Sequence, residues 1–571
     1  MSYAITLLTI CLIALIIWCV RGYIMGFCLS HYFGIPYPRY SVKIVRNSMM
    51  TMKDGVHLFA DVYRPKKGGK YPAMIAHTAY EKENAEHYFK HIGYLLAGQG
   101  FVFVIQDVRG KRPSEGSYYP HINDASDGAD TIDWVINQPW SNGQIALFGF
   151  SASGLNSWLA VTHSKHKVTT VIPWFAACNP YEMWYDHGVP YLKQLIFWMA
   201  QYAGNRNRKI SEKTVDKAFK QTDDWQSLDV LLTQQPIQAY RDFLTHPEYD
   251  AFWKRFSIPL KDLKQDIPAL LGSGWYDQFL STTISDFQTL QKSPPGSLKK
   301  KSRLIIGPWL HKPTDKIPPL HLGEDANFKH QFALMIHWLQ KWMGKTECFE
   351  MPPVTYYLME KNVWCTASEW PPRDIQIQVL YLINKHGLLS HTIDKSDEVT
   401  LRYQPHNFVP AIGGHMLFSN GYSGPQEQSF LLARNDVLLW SSAPLERELA
   451  VVGAPKLHLQ VTTDLPAFDL SIKFIDLFPN GKMQLVTDAY RRFGKEDITL
   501  TSFTAALEYI DTAYLFRAGH RIQIAVTHSH FPAHEPNKEL FNLQEASVKI
   551  SSDPESPSFL ELPILNSVQL T

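Results

Sequence analysis

The sequence predicts a largely parallel α/β sheet, interrupted by a helical insertion and followed by an all-β domain. Three observations predict it. Short apolar runs at residues 71–77 (YPAMIAH), 101–105 (FVFVI) and 144–150 (QIALFGF) alternate with helical stretches, and continuous apolar runs of that length suit strands buried on both faces. Between residues 180 and 267 helical spacing takes over. After Pro352 and Pro353 short strands succeed one another, joined by turns such as Asn480-Gly481, the texture of a sandwich or jelly roll.

The elements follow in order. Residues 42–50 and 58–63 read as strands around the Lys53-Asp54-Gly55 turn. Helices are expected near 87–96 and 127–137, flanking the apolar strands. The insertion carries helical stretches at 181–199, 212–220, 228–232 and 237–244. Strands return at 268–273 and 303–307, and a helix follows at 328–343. The last third offers strands at 354–359, 375–383, 438–441, 456–462, 470–477 and 520–528. A chain of 571 residues exceeds what one core serves. The expected units are an α/β domain from 42–179 with 268–350, a helical cap from 180–267, and a jelly-roll domain from 352–571.

Residues 1–21 stand apart. Tyr3 to Val20 carry no charge, and as a helix this stretch spans about 27 Å, close to a hydrocarbon core. No basic residue precedes it and no small-x-small cleavage site follows it, so an uncleaved membrane anchor is expected in preference to a cleaved signal. The alternatives are a secreted or periplasmic protein after cleavage, or a buried helix of the fold. Arg21, Arg39, Lys43 and Arg46 lie on the carboxyl side; the positive-inside rule points that side to the cytoplasm, but so few charges do not decide the side.

Composition excludes several classes. Fifty-five Lys and Arg balance 54 Asp and Glu, so no basic surplus seeks nucleic acid. The six cysteines include no CxxC pair and give a zinc site no ligand spacing.

The segment Ile145-Ala-Leu-Phe-Gly149-Phe-Ser151-Ala-Ser-Gly154 runs from an apolar strand through a tight turn into a helix. A serine between small residues at such a turn is a nucleophile elbow, the mark of an α/β-hydrolase, although the second glycine comes one residue late. The elbow presents Ser151 at the strand's carboxyl end, and the Ala152 amide opens the next helix as an oxyanion donor. A serine needs a base and an orienting acid, which follow in the order Asp, His after later strands. Leu270-Leu-Gly-Ser-Gly-Trp-Tyr-Asp277 and Arg303-Leu-Ile-Ile-Gly-Pro-Trp-Leu-His311 supply both. Tyr80, in His77-Thr-Ala-Tyr80-Glu-Lys82 after an early strand, offers a hydroxyl as second oxyanion donor, although on these residues alone a packed surface tyrosine is the better reading.

These pieces resemble the cocaine esterase and X-prolyl dipeptidyl aminopeptidase family of serine hydrolases, from about Val42 to the carboxyl terminus. The resemblance is carried by Lys53-Asp54-Gly55-Val56, Ala79-Tyr80-Glu81-Lys82, Asp107-Val-Arg109-Gly110 with Ser114-Glu115-Gly116, and Gln138-Pro-Trp140-Ser-Asn-Gly143. Gly274-Trp275-Tyr276-Asp277 and Gly307-Pro308-Trp309-Leu310-His311 are its most specific parts. Glu369-Trp370-Pro371-Pro372 and Phe516-Arg517-Ala518-Gly519-His520-Arg521-Ile522 extend it into the last third.

The resemblance implies three parts: an α/β-hydrolase domain with an inserted helical cap, and a carboxyl-terminal jelly roll. It implies Ser151 as nucleophile, His311 as base, Asp277 as its orienting partner, and Tyr80 with the Ala152 amide as oxyanion donors. No metal or organic cofactor is implied. Two features depart from it. Ala152 stands where the family often has an aromatic residue, and the apolar amino terminus has no counterpart.

The expected reaction is acyl transfer from an ester or amide, or from a short peptide, to water. An X-Pro dipeptidyl aminopeptidase is the alternative among enzymes, and an inactive membrane-tethered binding protein is the alternative outside them. Residues 278–282 after Asp277 carry no carboxylate to hold a substrate ammonium, so uncharged acyl groups are expected, unless Glu182, Asp186 or Asp223 of the cap reaches the pocket. His528, His530 and His534 cluster near a jelly-roll strand. Spacing by two puts His528 and His530 on one strand face, compatible with a metal site but better read as a polar strand end.

Overall fold

Buried strands build the first sheet. Val102–Asp107, Thr170–Trp174, Leu270–Gly274 and Arg303–Gly307 are buried at every position, because helices cover both faces of a parallel sheet. The computed structural model describes residues 24–84, 89–312, 316–327, 329–344, 350–404, 406–417, 423–498, 502–543 and 546–566. Across the sheet the strands run Val42–Thr51, His57–Pro65, Val102–Asp107, Tyr71–Thr78, Ser141–Phe150, Thr170–Trp174, Leu270–Gly274, Arg303–Gly307, Val354–Leu358 and Val363–Ala367. The central pairings are parallel, so several strands end at the same edge. Loops at that edge are where α/β sheets build their sites.

The last two strands differ from the sequence expectation. Pro352 and Pro353 read as a boundary before the jelly roll. Instead the Pro353 carbonyl accepts from Leu304 N–H at 3.0 Å, and Val354–Leu358 pairs in parallel with Arg303–Gly307. The α/β sheet therefore runs on to Ala367. A prolyl pair marks a loop entering a strand, and a five-residue buried run does not say which sheet it joins.

Residues 180–262 lie between Thr170–Trp174 and Leu270–Gly274 and are mainly helical, with Pro180–Trp184, Leu192–Tyr202, Glu212–Phe219, Leu228–Thr233, Gln238–Leu244 and Ala251–Lys254. This cap leans on the β domain: Phe219 and Trp225 pack their rings 5.5 and 5.6 Å from Phe531, and Lys193 N–H donates to the Pro532 carbonyl at 3.0 Å.

From Ile375–Ile383 to Phe559–Leu565 antiparallel strands form the jelly-roll domain. Its inner strands, such as Phe468–Leu477, are almost wholly buried. The Trp370 indole N–H donates to Asp511 at 2.8 Å and the Trp370 carbonyl accepts from Gln288 at 3.1 Å, which ties this domain to the first.

The apolar segment 1–21, expected as an anchor, lies outside the described residues. Among the described residues no helix is long and apolar enough to cross a membrane.

Candidate active site

Four strand ends converge. Ser151 follows Ser141–Phe150, Tyr80 follows Tyr71–Thr78, Asp277 follows Leu270–Gly274 and His311 follows Arg303–Gly307. Ser151 sits at φ 56° and ψ −130°, at the start of the helix Ala152–His163. A non-glycine residue in that region is strained and persists only where its surroundings over-determine it. Here Ser151 N–H donates to the Trp174 carbonyl at 3.0 Å, and the Ser151 carbonyl accepts from Gly154 N–H at 2.8 Å.

The two glycines are explained by contact. A Cβ on Gly149 would lie 2.1 Å from the Ser153 carbonyl, and one on Gly154 would lie 2.6 Å from Ala176 Cβ and 3.1 Å from the Gly149 carbonyl oxygen. The late glycine is required by the helix that packs against the residues after Trp174.

Ser151 Oγ lies 3.0 Å from His311 Nε2, and His311 Nδ1 lies 2.7 Å from Asp277 Oδ1. A carboxylate only accepts, so Nδ1 carries the proton and Nε2 is left to accept from the serine. Asp277 is completely buried. Its other oxygen accepts from Ser273 Oγ at 2.7 Å, and Phe279 N–H donates to Oδ1 at 3.2 Å. The imidazole stands edge-on to Phe279, with ring centres 4.9 Å apart.

The Tyr80 hydroxyl donates to Ser151 Oγ at 3.1 Å and accepts from the Trp198 indole at 3.4 Å. Burial pushes the Tyr80 phenol up, while its contacts with Ser151, Trp198 and the Ala152 amide pull the other way. It therefore remains a protonated donor at neutral pH. Its loop is held by Lys82, whose backbone N–H and Nζ donate to Asp107 at 2.7 and 2.9 Å. Burial raises the Asp107 carboxyl to about 7 against the pull of Lys82. Arg109 reaches Asp127 through two bonds, at 3.0 and 2.7 Å. These motif residues brace the loops and do not touch Ser151.

Trp198 and Ser273 were not singled out in the sequence. Trp198 lies in a cap helix buried on most sides and has no local signature. Ser273 was visible as the small residue four positions before Asp277.

Two of the three cap carboxylates are bonded elsewhere. Asp186 accepts from His534 Nε2 at 3.2 Å, Glu182 from Asn179 Nδ2 at 3.0 Å, and Asp223 is exposed. The three histidines do not share a face. The strand ends at Thr527; His528 turns to Asp436 at 2.9 Å, while His530 and His534 lie 3.3 Å apart through their Nδ1 atoms. Among the described residues no group of three or more His, Cys, Asp or Glu side chains is placed to hold a metal ion.

Comparison with known proteins gives the family and the fold. Residues 54–313 match the X-Pro dipeptidyl-peptidase (S15 family) model, and residues 349–561 match the X-Pro dipeptidyl-peptidase C-terminal non-catalytic domain. The chain is 27% identical to cocaine esterase of Rhodococcus sp. (strain MB1 Bresler), over 91% of this chain and 98% of that one. Two solved structures share the fold. An aminopeptidase from a marine sediment archaeon, Thaumarchaeota archaeon, superposes with a TM-score of 0.80 at 22% identity, covering 92% of this chain and 97% of its own. An α-amino acid ester hydrolase does so with a TM-score of 0.75 at 21% identity, covering 93% and 98%. The buried carboxylate, imidazole and elbow serine thus stand in a chain that belongs to the cocaine esterase and X-Pro dipeptidyl-peptidase family of α/β serine hydrolases.

Proposed function

We propose that Ser151 is the acylated residue of an ester or amide hydrolase that prefers uncharged acyl groups. The observation that carries this reading is the hydrogen-bonded line from Ser151 through His311 to buried Asp277, at 3.0 and 2.7 Å. Ser151 Oγ attacks the substrate carbonyl as His311 Nε2 takes its proton. Tyr80 and the Ala152 amide donate to the oxyanion of the tetrahedral intermediate. His311 then gives the proton to the leaving group, and water releases the acyl chain by the same route in reverse.

The preference for uncharged acyl groups is supported by Gln278, an amide directly after Asp277, and by the other commitments of Asp186 and Glu182. A desolvated ammonium needs an opposite charge close by. An X-Pro dipeptidyl aminopeptidase is the second reading, favoured by the matching family model. A panel of p-nitrophenyl esters and X-Pro anilides separates them. Ester turnover well above anilide turnover supports the first reading, and the reverse order supports the second.

We also propose that residues 1–21 tether the enzyme to a membrane. Support comes from the helix at residues 24–33, where Ile24, Phe27 and Tyr32 are exposed, as is Tyr37 just after it. The amphipathic rings of Tyr32 and Tyr37 suit the headgroup level.

A further inference from the structure

Buried polar atoms are normally hydrogen-bonded, and one left without a partner is costly. Gln194 is fully buried, and neither its amide nitrogen nor its amide oxygen has a protein partner. It lies on the helix Leu192–Tyr202, one turn before Trp198, whose indole reaches Tyr80. At about 100° per residue, Gln194 projects between Trp198 and Phe197. Phe197 packs against Ala411, Met416 and Ala533 of the jelly roll. Gln194 thus sits on the helix that reaches the oxyanion tyrosine through Trp198 and the β domain through Phe197.

Buried groups that flank Asp277, and one that faces them from the β domain, share its property. Gln278 gives its Nε2 hydrogen to the Met183 carbonyl at 2.7 Å, but its Oε1 has no partner. Tyr276, beside Asp277, is fully buried with an unpartnered hydroxyl. His415, whose ring centre is 6.0 Å from that of Tyr276, bonds Asp488 through Nδ1 at 2.5 Å and leaves Nε2 unpartnered. The catalytic domain, the cap and the β domain each contribute. The Asp488 carboxylate accepts from His415 Nδ1 and lies 3.9 Å from His530 Nε2.

We infer that Gln194, with Gln278, Tyr276 and His415, forms a neutral polar subsite that recognises a hydroxyl or carboxamide on the acyl chain of the substrate. This rests on the acyl-enzyme reading above and names its substrate class: esters or amides of hydroxy or amido acids. An amide side chain both donates and accepts, as do a hydroxyl and a carboxamide, so one partner satisfies both ends of Gln194. A site built to hydrogen-bond a substrate group discriminates strongly against the analogue that lacks it.

The test uses the full chain and three methyl esters: 3-phenylpropanoate and its 2-hydroxy and 3-hydroxy forms. Each kcat/KM is divided by the ester's rate of alkaline hydrolysis, which removes intrinsic reactivity. At least one hydroxy ester should exceed the parent by about tenfold or more, and Gln194→Leu should bring that ratio close to one. A wild-type advantage below tenfold for both hydroxy esters overturns the inference, as does a ratio unchanged in the variant. If Gln194→Leu does not fold, Gln194→Met keeps the length of the side chain and is read in the same way. Failure of the acyl-enzyme reading looks different: none of the three esters is cleaved, whatever the substituent.

Discussion

The Tyr80 hydroxyl stands 3.1 Å from Ser151 Oγ, although the two residues are 71 positions apart in the chain. The same hydroxyl meets the Trp198 indole at 3.4 Å, so its direction is fixed before substrate arrives. A donor aimed in advance costs no reorganisation as charge develops on the carbonyl oxygen. Tyr80→Phe should lower kcat by roughly 10²–10³-fold, about 3–4 kcal/mol, with KM little changed. Steady-state kinetics check it, and a loss confined to KM would make Tyr80 a binding residue instead.

Gly149→Ala tests the elbow. The added Cβ would sit 2.1 Å from the Ser153 carbonyl, so the turn must open and carry Ser151 away from His311. Displacement of a reacting group by about 1 Å costs on the order of 10²-fold. The variant should lose that much in kcat/KM and react more slowly with a fluorophosphonate. Wild-type rates would mean that the turn relaxes freely.

His77, at the end of the strand that leads to Tyr80, should shape the acid limb of stability. It is buried with both ring nitrogens unpartnered, and burial lowers its pKa from 6.5 to about 4. Between those values the unfolded chain binds a proton that the folded chain refuses. The stabilisation is complete above about pH 6.5 and is lost as the pH falls towards 4, in total about 3 kcal/mol. His77→Leu cannot charge, so its melting temperature should fall less between pH 6.5 and 4.5 than that of the wild type. Parallel curves would remove His77 from the account.

Much of this site was legible because each residue sits just after an apolar strand. Gly149-Phe-Ser151, Trp275-Tyr-Asp277 and Trp309-Leu-His311 each combine a buried run with a turn that carries a reactive group. Contacts made across domains were not legible. Trp198 is one of 16 tryptophans, and its meeting with Tyr80 spans 118 positions. Nor did the two-residue spacing of His528 and His530 put them on one face, because the strand stops at Thr527 and the chain turns. The run beginning at Val354 had the character of a strand but carried no mark of its partner in the first sheet.

Removal of residues 1–21 should leave an enzyme that fractionates with soluble protein and keeps its ester turnover. The family match begins only at residue 54, and the helix at 24–33 packs Met25, Leu29 and Phe33 against the core. Sedimentation with membranes before truncation, and release after it, are the expected readouts. A truncated chain that fails to fold would make the segment a core helix.

The most direct test of the central claim is covalent labelling followed by peptide mass spectrometry. Ser151 is paired at 3.0 Å with an imidazole held by a buried carboxylate, and only an activated serine reacts readily with a fluorophosphonate. The wild-type chain should take up one label, on the peptide that contains Ser151, and Ser151→Ala should take up none while staying folded. Labelling that persists in Ser151→Ala, or a folded wild-type chain that does not react, would contradict the account.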